Sequence, residues 1–150
     1  MIVSFTGAQS TGKSTLLERC RGDEKFKSYE FEPEVTRWVK KTYDLSINED
    51  GDEFTQLAIL NRHMHNYLTY KDKDVILDRC ILDGLVYTRY LHCSGKVGAD
   101  VMEYASYLYR KLVDKMDVIF YTEPDIPLVD DGERSIDVEF RNNIINIFYK

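Results

Sequence analysis

The sequence predicts an α/β domain in which helices cover both faces of a parallel sheet. Runs that favour strands alternate along the chain with runs whose apolar residues recur at helical spacing. Val75-Ile76-Leu77 is wholly apolar, as expected of a strand that is buried on both faces. The first strand-like run, residues 2–6, leads directly into a glycine-containing loop and then into good helix formers. Together these three observations predict the fold class.

The elements before residue 72 follow from local patterns. Residues 2–6 favour a strand, and residues 13–21 favour a helix. Residues 28–32 (SYEFE) alternate, which predicts the second strand. Pro33 suits the first turn of a helix, so we predict a short helix over residues 34–42.

The longest predicted helix covers residues 52–70, because its apolar side chains recur with a period near 3.6. The predicted core-facing stripe consists of Phe54, Leu57, Asn61, Met64 and Leu68, with Ala58 and His65 beside it.

The elements after residue 72 continue the alternation. The strand at Val75 ends at Asp78, and a helix follows over residues 81–92. Apolar spacing predicts another helix over 101–116, then a strand over 118–121 and a final helix from Phe140 almost to Lys150. The remaining segment, about residues 124–137, contains prolines and a cluster of acidic residues, which predicts a loop that acts as a lid.

The loop after the first strand carries the strongest chemical signal. Residues 7–15 read GAQSTGKST and fit the phosphate-loop spacing G-x-x-x-x-G-K-[ST]. Its glycines let backbone N–H groups approach an anion at a helix N-terminus. Lys13 would add a positive charge on the β- and γ-phosphates, and the Ser14 hydroxyl would ligate Mg²⁺. The predicted nucleotide-binding residues are Gly7, Ala8, Gln9, Ser10, Thr11, Gly12, Lys13, Ser14 and Thr15. The alternative interpretation is a turn that only caps a helix.

Further candidates follow the third strand, because ligands of such sheets bind beyond the carboxyl ends of the strands. Asp78 stands where a second acidic group would hold Mg²⁺ through water. Its alternative role is to cap the helix that begins near Ile81. Arg79 is predicted to clamp phosphate oxygens and the acceptor, the alternative being a surface salt bridge. Asp83 lies one helical turn after Arg79 and is interpreted as its ion-pair partner.

The second strand and the predicted lid supply the other candidates. Glu34 is predicted to bind the acceptor hydroxyl or take its proton, the alternative being a carboxylate that only favours the helix dipole. Arg37 and Arg134 are cations that can neutralise charge on a transferring phosphoryl group. Arg141 is a weaker candidate, because an arginine on a helix face is usually solvated.

Length and composition narrow the class of protein. A chain of 150 residues predicts one domain over residues 1–150. A net charge of −6 argues against a protein that coats nucleic acid, but it does not exclude a local basic patch in a cleft. Cys20, Cys80 and Cys93 are widely spaced, which predicts reduced thiols in a cytoplasmic protein rather than disulfides or a zinc site. No apolar run approaches ~20 residues and Met1 leads directly into a strand, so we expect neither a membrane span nor a signal peptide.

The chain resembles the P-loop kinases of nucleosides and nucleotides. It is most similar to the ribosylnicotinamide-kinase-like group, small AAA-type ATPase/kinase domains that are linked with NAD metabolism and are common in phages. Four stretches carry the resemblance: GAQSTGKST at 7–15, PEVTRW at 33–38, VILDRCILDGLVYTRYL at 75–91 and DIPLVDDGERS at 125–135.

The resemblance implies a three-layer P-loop NTPase fold and a kinase that uses ATP and Mg²⁺. It assigns Lys13 and Ser14 to the nucleotide, Glu34 and Arg37 to the acceptor region, Asp78 and Arg79 to the catalytic and metal region, and Arg134 to the lid. That fold usually has a fifth strand, whereas this chain supplies only four, in a mostly parallel sheet. We therefore expect a reduced version, a fragment, or a domain completed by a second copy or another partner at the sheet edge.

The sequence leaves several alternatives for the identity of the acceptor. The resemblance favours a small nucleoside-like or nucleotide-like molecule. The alternatives are a deoxynucleoside monophosphate kinase or modified-DNA-base kinase of phage type, or a nucleotide-dependent ATPase or switch without kinase activity. A guanine-reading [NT]-K-x-D stretch is absent from the sequence, which argues against a GTPase switch.

Overall fold

The computed structural model describes residues 1–128 and 135–150, and these residues form four strands and six α-helices. The strands are β1 (Ile2–Thr6), β2 (Glu30–Glu32), β3 (Val75–Asp78) and β4 (Val118–Tyr121). The helices are α1 (Lys13–Arg21), α2 (Val35–Tyr43), α3 (Glu53–Tyr70), α4 (Ile81–Cys93), α5 (Ala99–Leu112) and α6 (Val138–Phe148). Short 3-10 turns lie at Glu24–Phe26, Asn48–Asp50 and Val113–Lys115.

The sheet has the strand order β2-β3-β1-β4, and each neighbouring pair is parallel. The predicted parallel α/β class is therefore confirmed. Phe5 of β1 lies opposite Asp78 of β3, so the segments after these two strands leave the sheet side by side. This register brings the phosphate loop next to Asp78 and Arg79.

Helices cover both faces of the sheet, because successive strand side chains point to opposite sides. Val3, Phe5 and Ile76 pack with Leu17 of α1 on one face. On the other face Ile2, Val75 and Leu77 pack with Tyr67 and Tyr70 of α3. Beyond α3, the apolar core continues into α4 and α5, and α6 packs on α4. The chain thus forms three layers, helix, sheet and helix.

The predicted element order is confirmed, with small differences in length. β2 begins at Glu30 rather than at residue 28. α5 ends at Leu112, and a 3-10 turn follows where the sequence predicted helix to residue 116. The predicted lid lies partly outside the described residues, which end at 128 and resume at 135.

The predicted stripe of α3 is confirmed at Leu57 and Met64, which pack against the core, and is wrong at its other three positions. Phe54 is 72% exposed and Leu68 is 57% exposed. The buried side chains of α3 are Thr55, Gln56, Ile59, Leu60, His63 and Asn66. Hydrophobic periodicity misses this face because half of its members are strongly polar.

β4 forms one edge of the described sheet. Its side chains Val118 and Phe120 are exposed, and Phe120 stacks on Phe5 at 5.5 Å between ring centroids. No described strand pairs with its outer side, so its edge presents backbone groups that another strand can bind. That a second copy or another partner covers this edge stays a prediction.

None of the described helices is both long and apolar enough to cross a membrane.

Candidate functional site

The phosphate loop between β1 and α1 is shaped by three residues with positive φ. These are Gly7 at 136°, Ser10 at 56° and Gly12 at 84°. A Cβ atom on Gly7 would lie 2.7 Å from the Thr122 hydroxyl oxygen, so no side chain fits there. Gly12 is the N-cap of α1 and provides no side-chain cap. The first N–H groups of α1 are therefore available to an anion.

Lys13 lies buried inside the loop. Its Nζ donates hydrogen bonds to the carbonyl oxygens of Gly7 (3.0 Å) and Ala8 (2.5 Å) and to the Thr11 hydroxyl (3.0 Å). None of the described carboxylates forms an ion pair with it. Burial, followed by repulsion from Arg79, lowers the pKa of Lys13 to about 7. A buried cation without an anionic partner fits a site that receives phosphate.

A narrow cleft, with a volume of about 10 Å³, brings the loop together with side chains from two other strand ends. Its lining residues are Ser10, Thr11, Gly12, Lys13, Ser14, Glu34, Asp78 and Arg79. An adjoining cleft of about 160 Å³ adds Arg37 beside Ser14, Glu34 and Asp78. Ala8 and Gln9 are buried within the loop, and Thr15 is exposed on α1. Arg134, the predicted lid cation, lies outside the described residues.

Asp78 ends β3 in this cleft. It does not cap α4, because the N-cap is Cys80 and the reciprocal carboxylate is that of Asp83. The alternative interpretation of Asp78 as a helix cap is therefore wrong. Its Oδ1 is buried without a hydrogen-bond partner, and burial, followed by the negative charge of Glu34, raises the pKa of Asp78 to about 6. An unsatisfied carboxylate oxygen in a cleft shared with Ser14 fits an Mg²⁺ ion and its waters.

Arg79 is the centre of a buried polar network. Its Nε donates to Glu34 Oε1 at 2.8 Å, and its Nη1 donates to Asp83 Oδ1 at 3.1 Å and to the Gly7 carbonyl at 3.1 Å. The predicted pairing with Asp83 is confirmed, and the alternative of a surface salt bridge is wrong because Arg79 is 8% exposed. Arg79 also has a φ of 77°, which is strained for a residue with a side chain. The network holds it there.

Glu34 joins this network to Arg37 of α2. Its carboxylate pairs with Arg79 at 2.8 Å and with Arg37 at 3.0 Å, and its side chain gives no capping hydrogen bond to α2. Burial alone would raise the pKa of Glu34, but the charges of Arg79 and Arg37 bring it below its usual value. Glu34 is therefore an anion at neutral pH.

Comparison with known proteins assigns the family. The model of the family described as AAA domain matches residues 2–150, which is nearly the whole chain. The chain belongs to this AAA domain family. Among curated proteins, none matches it significantly.

Solved structures with a similar fold include nucleoside and nucleotide kinases. NadR protein in complex with NR superposes with a TM-score of 0.73 at 20% identity, over 99% of this chain and 41% of NadR. Thymidylate kinase from Ehrlichia chaffeensis gives 0.62 at 20% identity, over 99% of this chain and 84% of the kinase. Deoxyadenosine kinase from M. mycoides, with products dCMP and a flexible dCDP bound, gives 0.65 at 14% identity, over 99% and 81%. This AAA domain therefore has a P-loop nucleotide-kinase fold, and it spans about two-fifths of the length of NadR.

Behind Arg79, this AAA domain has a narrow slot between α2, α3 and α4. Only about 10 Å³ of the slot is wide enough for the centre of a water molecule. It is lined by Thr36, Asn48, Gln56, Ile59, His63, Arg79, Asp83, Gly84 and Tyr87. The Gln56 amide oxygen accepts a hydrogen bond from the Thr88 hydroxyl at 3.0 Å.

Among the slot residues, the sequence predicts Arg79 and Asp83 and misses the others. Gln56 and His63 belong to no motif and lie on the face of α3 that apolar spacing places away from the core. Asp83 carried one usable signal, its position three residues after Cys80, where a capping-box acid stands. That position makes Asp83 accept from the Cys80 N–H at 3.0 Å, while its carboxylate also accepts from the Thr6 hydroxyl at 2.8 Å.

Arg141 of α6 differs from the expectation of a solvated helix-face arginine. It is 9% exposed, and its Nη2 donates to the carbonyl oxygens of Ile126 at 2.6 Å and Ser10 at 3.3 Å. The same nitrogen lies 3.4 Å from the Pro124 carbonyl. Arg141 therefore ties the phosphate loop to the segment that follows β4.

The buried imidazole of His63 predicts a pH-dependent stability. Burial lowers its pKa from 6.5 to about 4, so between these values the unfolded chain binds a proton that the folded chain does not. As pH falls from about 6.5 to 4, this group should remove up to about 3 kcal/mol of stability. Urea unfolding at several pH values should show a flatter acid limb for His63→Gln than for the wild type. The exposed His65→Gln is the control, and parallel curves for His63→Gln and wild type would contradict the prediction.

Proposed function

We propose that this AAA domain is a cytoplasmic, ATP- and Mg²⁺-dependent kinase that transfers the γ-phosphoryl group to a small nucleoside-like or nucleotide-like acceptor. The observation that carries the proposal is the convergence of Lys13, Asp78 and Arg79 in one cleft with a phosphate loop. The fold shared with nucleotide kinases supports it. The free thiols Cys20, Cys80 and Cys93 support a reducing compartment.

The phosphate loop would hold the donor. The N–H groups at the start of α1 bind phosphate oxygens, and Lys13 exchanges its carbonyl partners for the β- and γ-phosphates. Ser14 and Asp78 would hold Mg²⁺, the latter through the buried oxygen that has no protein partner. Bound MgATP supplies the phosphoryl group and neutralises part of the charge that develops during transfer.

The side chains after β2 and β3 would handle the acceptor. The ionised Glu34 has lone pairs left beside its two arginine partners, so it would orient the acceptor hydroxyl. It would receive the hydroxyl proton as the acceptor oxygen bonds to the γ-phosphorus and the bond from that phosphorus to the bridging oxygen breaks, with ADP as the leaving group. Arg79 and Arg37 stabilise negative charge on the transferring group. Arg134 takes the corresponding role from the lid, as the resemblance implies.

The slot behind Arg79 is proposed as the place for the acceptor ring. It is the opening next to the cleft that presents neutral polar groups and one aromatic side chain, Tyr87. Because so little of it admits a water molecule, α2 or the turn at Asn48–Asp50 has to move aside for a ring to enter. Once the displaced element packs back against the bound ring, water is excluded from the transfer.

The test is transfer from γ-labelled ATP to a panel of acceptors, with and without a chelator of Mg²⁺. The panel contains nicotinamide riboside, the common nucleosides, deoxynucleoside monophosphates, and single- and double-stranded DNA. Label that moves to a small acceptor and stops moving with chelator supports the kinase. Label that appears only as free phosphate contradicts it and favours an ATPase or switch.

A nucleoside monophosphate acceptor is the second candidate, because α2 carries a basic groove near the cleft. The groove is lined by Arg37, Lys40, Lys41 and Asp44, three cations to one anion. An acceptor phosphate would find charge complementarity there. In the same panel, this candidate predicts nucleoside diphosphate as the product, whereas a nucleoside acceptor gives the monophosphate.

A further inference from the structure

We infer that the slot between α2, α3 and α4 selects an acceptor with an uncharged ring, so that a cationic ring such as the pyridinium of nicotinamide riboside is rejected. The inference rests on the proposed function only in calling the ligand an acceptor. It concerns the charge of the ring and therefore has its own test, in equilibrium binding. Gln56 and His63 are the residues that offer hydrogen-bonding groups to the ring.

The first support is that the slot has no spare negative charge. Among the described lining residues, the charged ones are Arg79 and Asp83. Asp83 already accepts hydrogen bonds from four donors: the Thr6 hydroxyl, the backbone N–H groups of Gly7 and Cys80, and the Arg79 guanidinium. A cation that entered would lose its water and find Arg79 rather than an uncommitted carboxylate.

The second support is that the aromatic ring of the slot already holds a cation. The Arg79 guanidinium lies 5.2 Å from the ring centroid of Tyr87, which lines the slot. Outside the slot lining, the Arg62 guanidinium of α3 lies over the Trp38 ring of α2 at 4.1 Å. Aromatic faces bind cationic rings through the same quadrupole that these arginines use. A pyridinium would therefore compete with arginine instead of finding a free face.

The third support is that the groups left for a ligand are neutral. His63 is 6% exposed, lines the slot and makes no hydrogen bond to any described residue, and its low pKa keeps the imidazole uncharged at neutral pH. A neutral imidazole offers one donor and one acceptor, and the Gln56 amide adds another group. Heterocycles with ring nitrogens and carbonyl or amino groups match this set without bringing a charge.

Calorimetric binding to the full chain tests the inference with a pair of ligands that differ in charge. Nicotinamide riboside carries a cationic ring, and its dihydro form has the same carboxamide and ribose on a neutral ring. Adenosine and thymidine extend the neutral set. We expect the tightest neutral ligand to bind at least about tenfold more tightly than nicotinamide riboside. Equal or tighter binding of the cation would overturn the inference, and so would the failure of every nucleoside to bind.

A matched pair of variants identifies the slot as the origin of the selection. Gln56→Glu keeps the contact with Thr88 and adds one negative charge, and it should shift the ratio of dissociation constants toward the cation by about tenfold. Asn61→Asp adds the same charge on the exposed side of α3 and should leave the ratio unchanged. An unchanged ratio in Gln56→Glu would place the selection elsewhere and overturn the assignment. Neutral ligands that bind without receiving label would contradict the kinase proposal and leave this inference standing.

Discussion

Lys13→Ala is expected to lower kcat/KM for phosphoryl transfer by about 10²–10³-fold, the loss typical of removing one donor that stabilises charge in a transition state. Lys13 is the buried cation of the phosphate loop, and its present partners are oxygen atoms of the loop itself. In the proposed complex those hydrogen bonds pass to phosphate oxygens. The measurement is steady-state transfer from labelled ATP, together with calorimetric binding of MgATP.

Fold stability separates this effect from unfolding. Lys13 buries a positive charge without a carboxylate partner among the described residues, so removing the charge should not lower the melting temperature. The exposed Lys25→Ala is the matched control and should retain full activity. A Lys13→Ala protein that is folded and transfers phosphate at the wild-type rate would contradict the role of Lys13.

Arg79→Met is expected to cause the largest loss of stability. It removes the partner of two carboxylates, those of Glu34 and Asp83, and Asp83 is 3% exposed. Breaking a buried ion pair by deleting one partner costs about 3–5 kcal/mol. In a chain of this size that corresponds to a fall in melting temperature of roughly 6–20 °C. Thermal unfolding followed by circular dichroism measures it.

The cause can be tested with a second substitution. Glu34→Gln in the Arg79→Met background removes one of the two carboxylates that lose Arg79, the one that keeps only Arg37 as a partner among the described residues, so part of the stability should return. Arg89→Met is the control, because Arg89 lies exposed on the same helix that carries Asp83. A melting temperature that falls further in the double variant would show that Arg79 does not act through the Glu34 carboxylate.

Most of the fold could be predicted from the sequence because β1, β3 and α1 satisfy local and global requirements together. Apolar strands that are buried on both faces, and a helix that follows a glycine-rich loop, are compatible with few folds other than a parallel α/β sheet. The face of α3 could not be predicted in this way. Its buried side includes Gln56, His63 and Asn66, and an apolar period does not detect polar residues that are buried beside a slot.

The same distinction holds for the site. The phosphate loop and Asp78 could be predicted, because a motif and the end of a buried strand fix their places along the chain. Asp83 and Arg141 act through contacts with residues that are distant in sequence, such as Thr6 and Ser10. Their roles depend on how α4 and α6 pack on the sheet, and single-sequence patterns do not encode that packing.

The central position of β1 has a consequence for synthesis on the ribosome. The chain emerges with β1 first, yet both neighbours of β1 in the sheet, β3 and β4, come much later. At ~5–20 residues per second, the nascent chain carries β1 without its neighbours for on the order of ten seconds. The phosphate loop is completed later still, when Arg141 reaches the Ser10 carbonyl. A growing chain thus holds an apolar strand that needs shielding until β3 and β4 have been made.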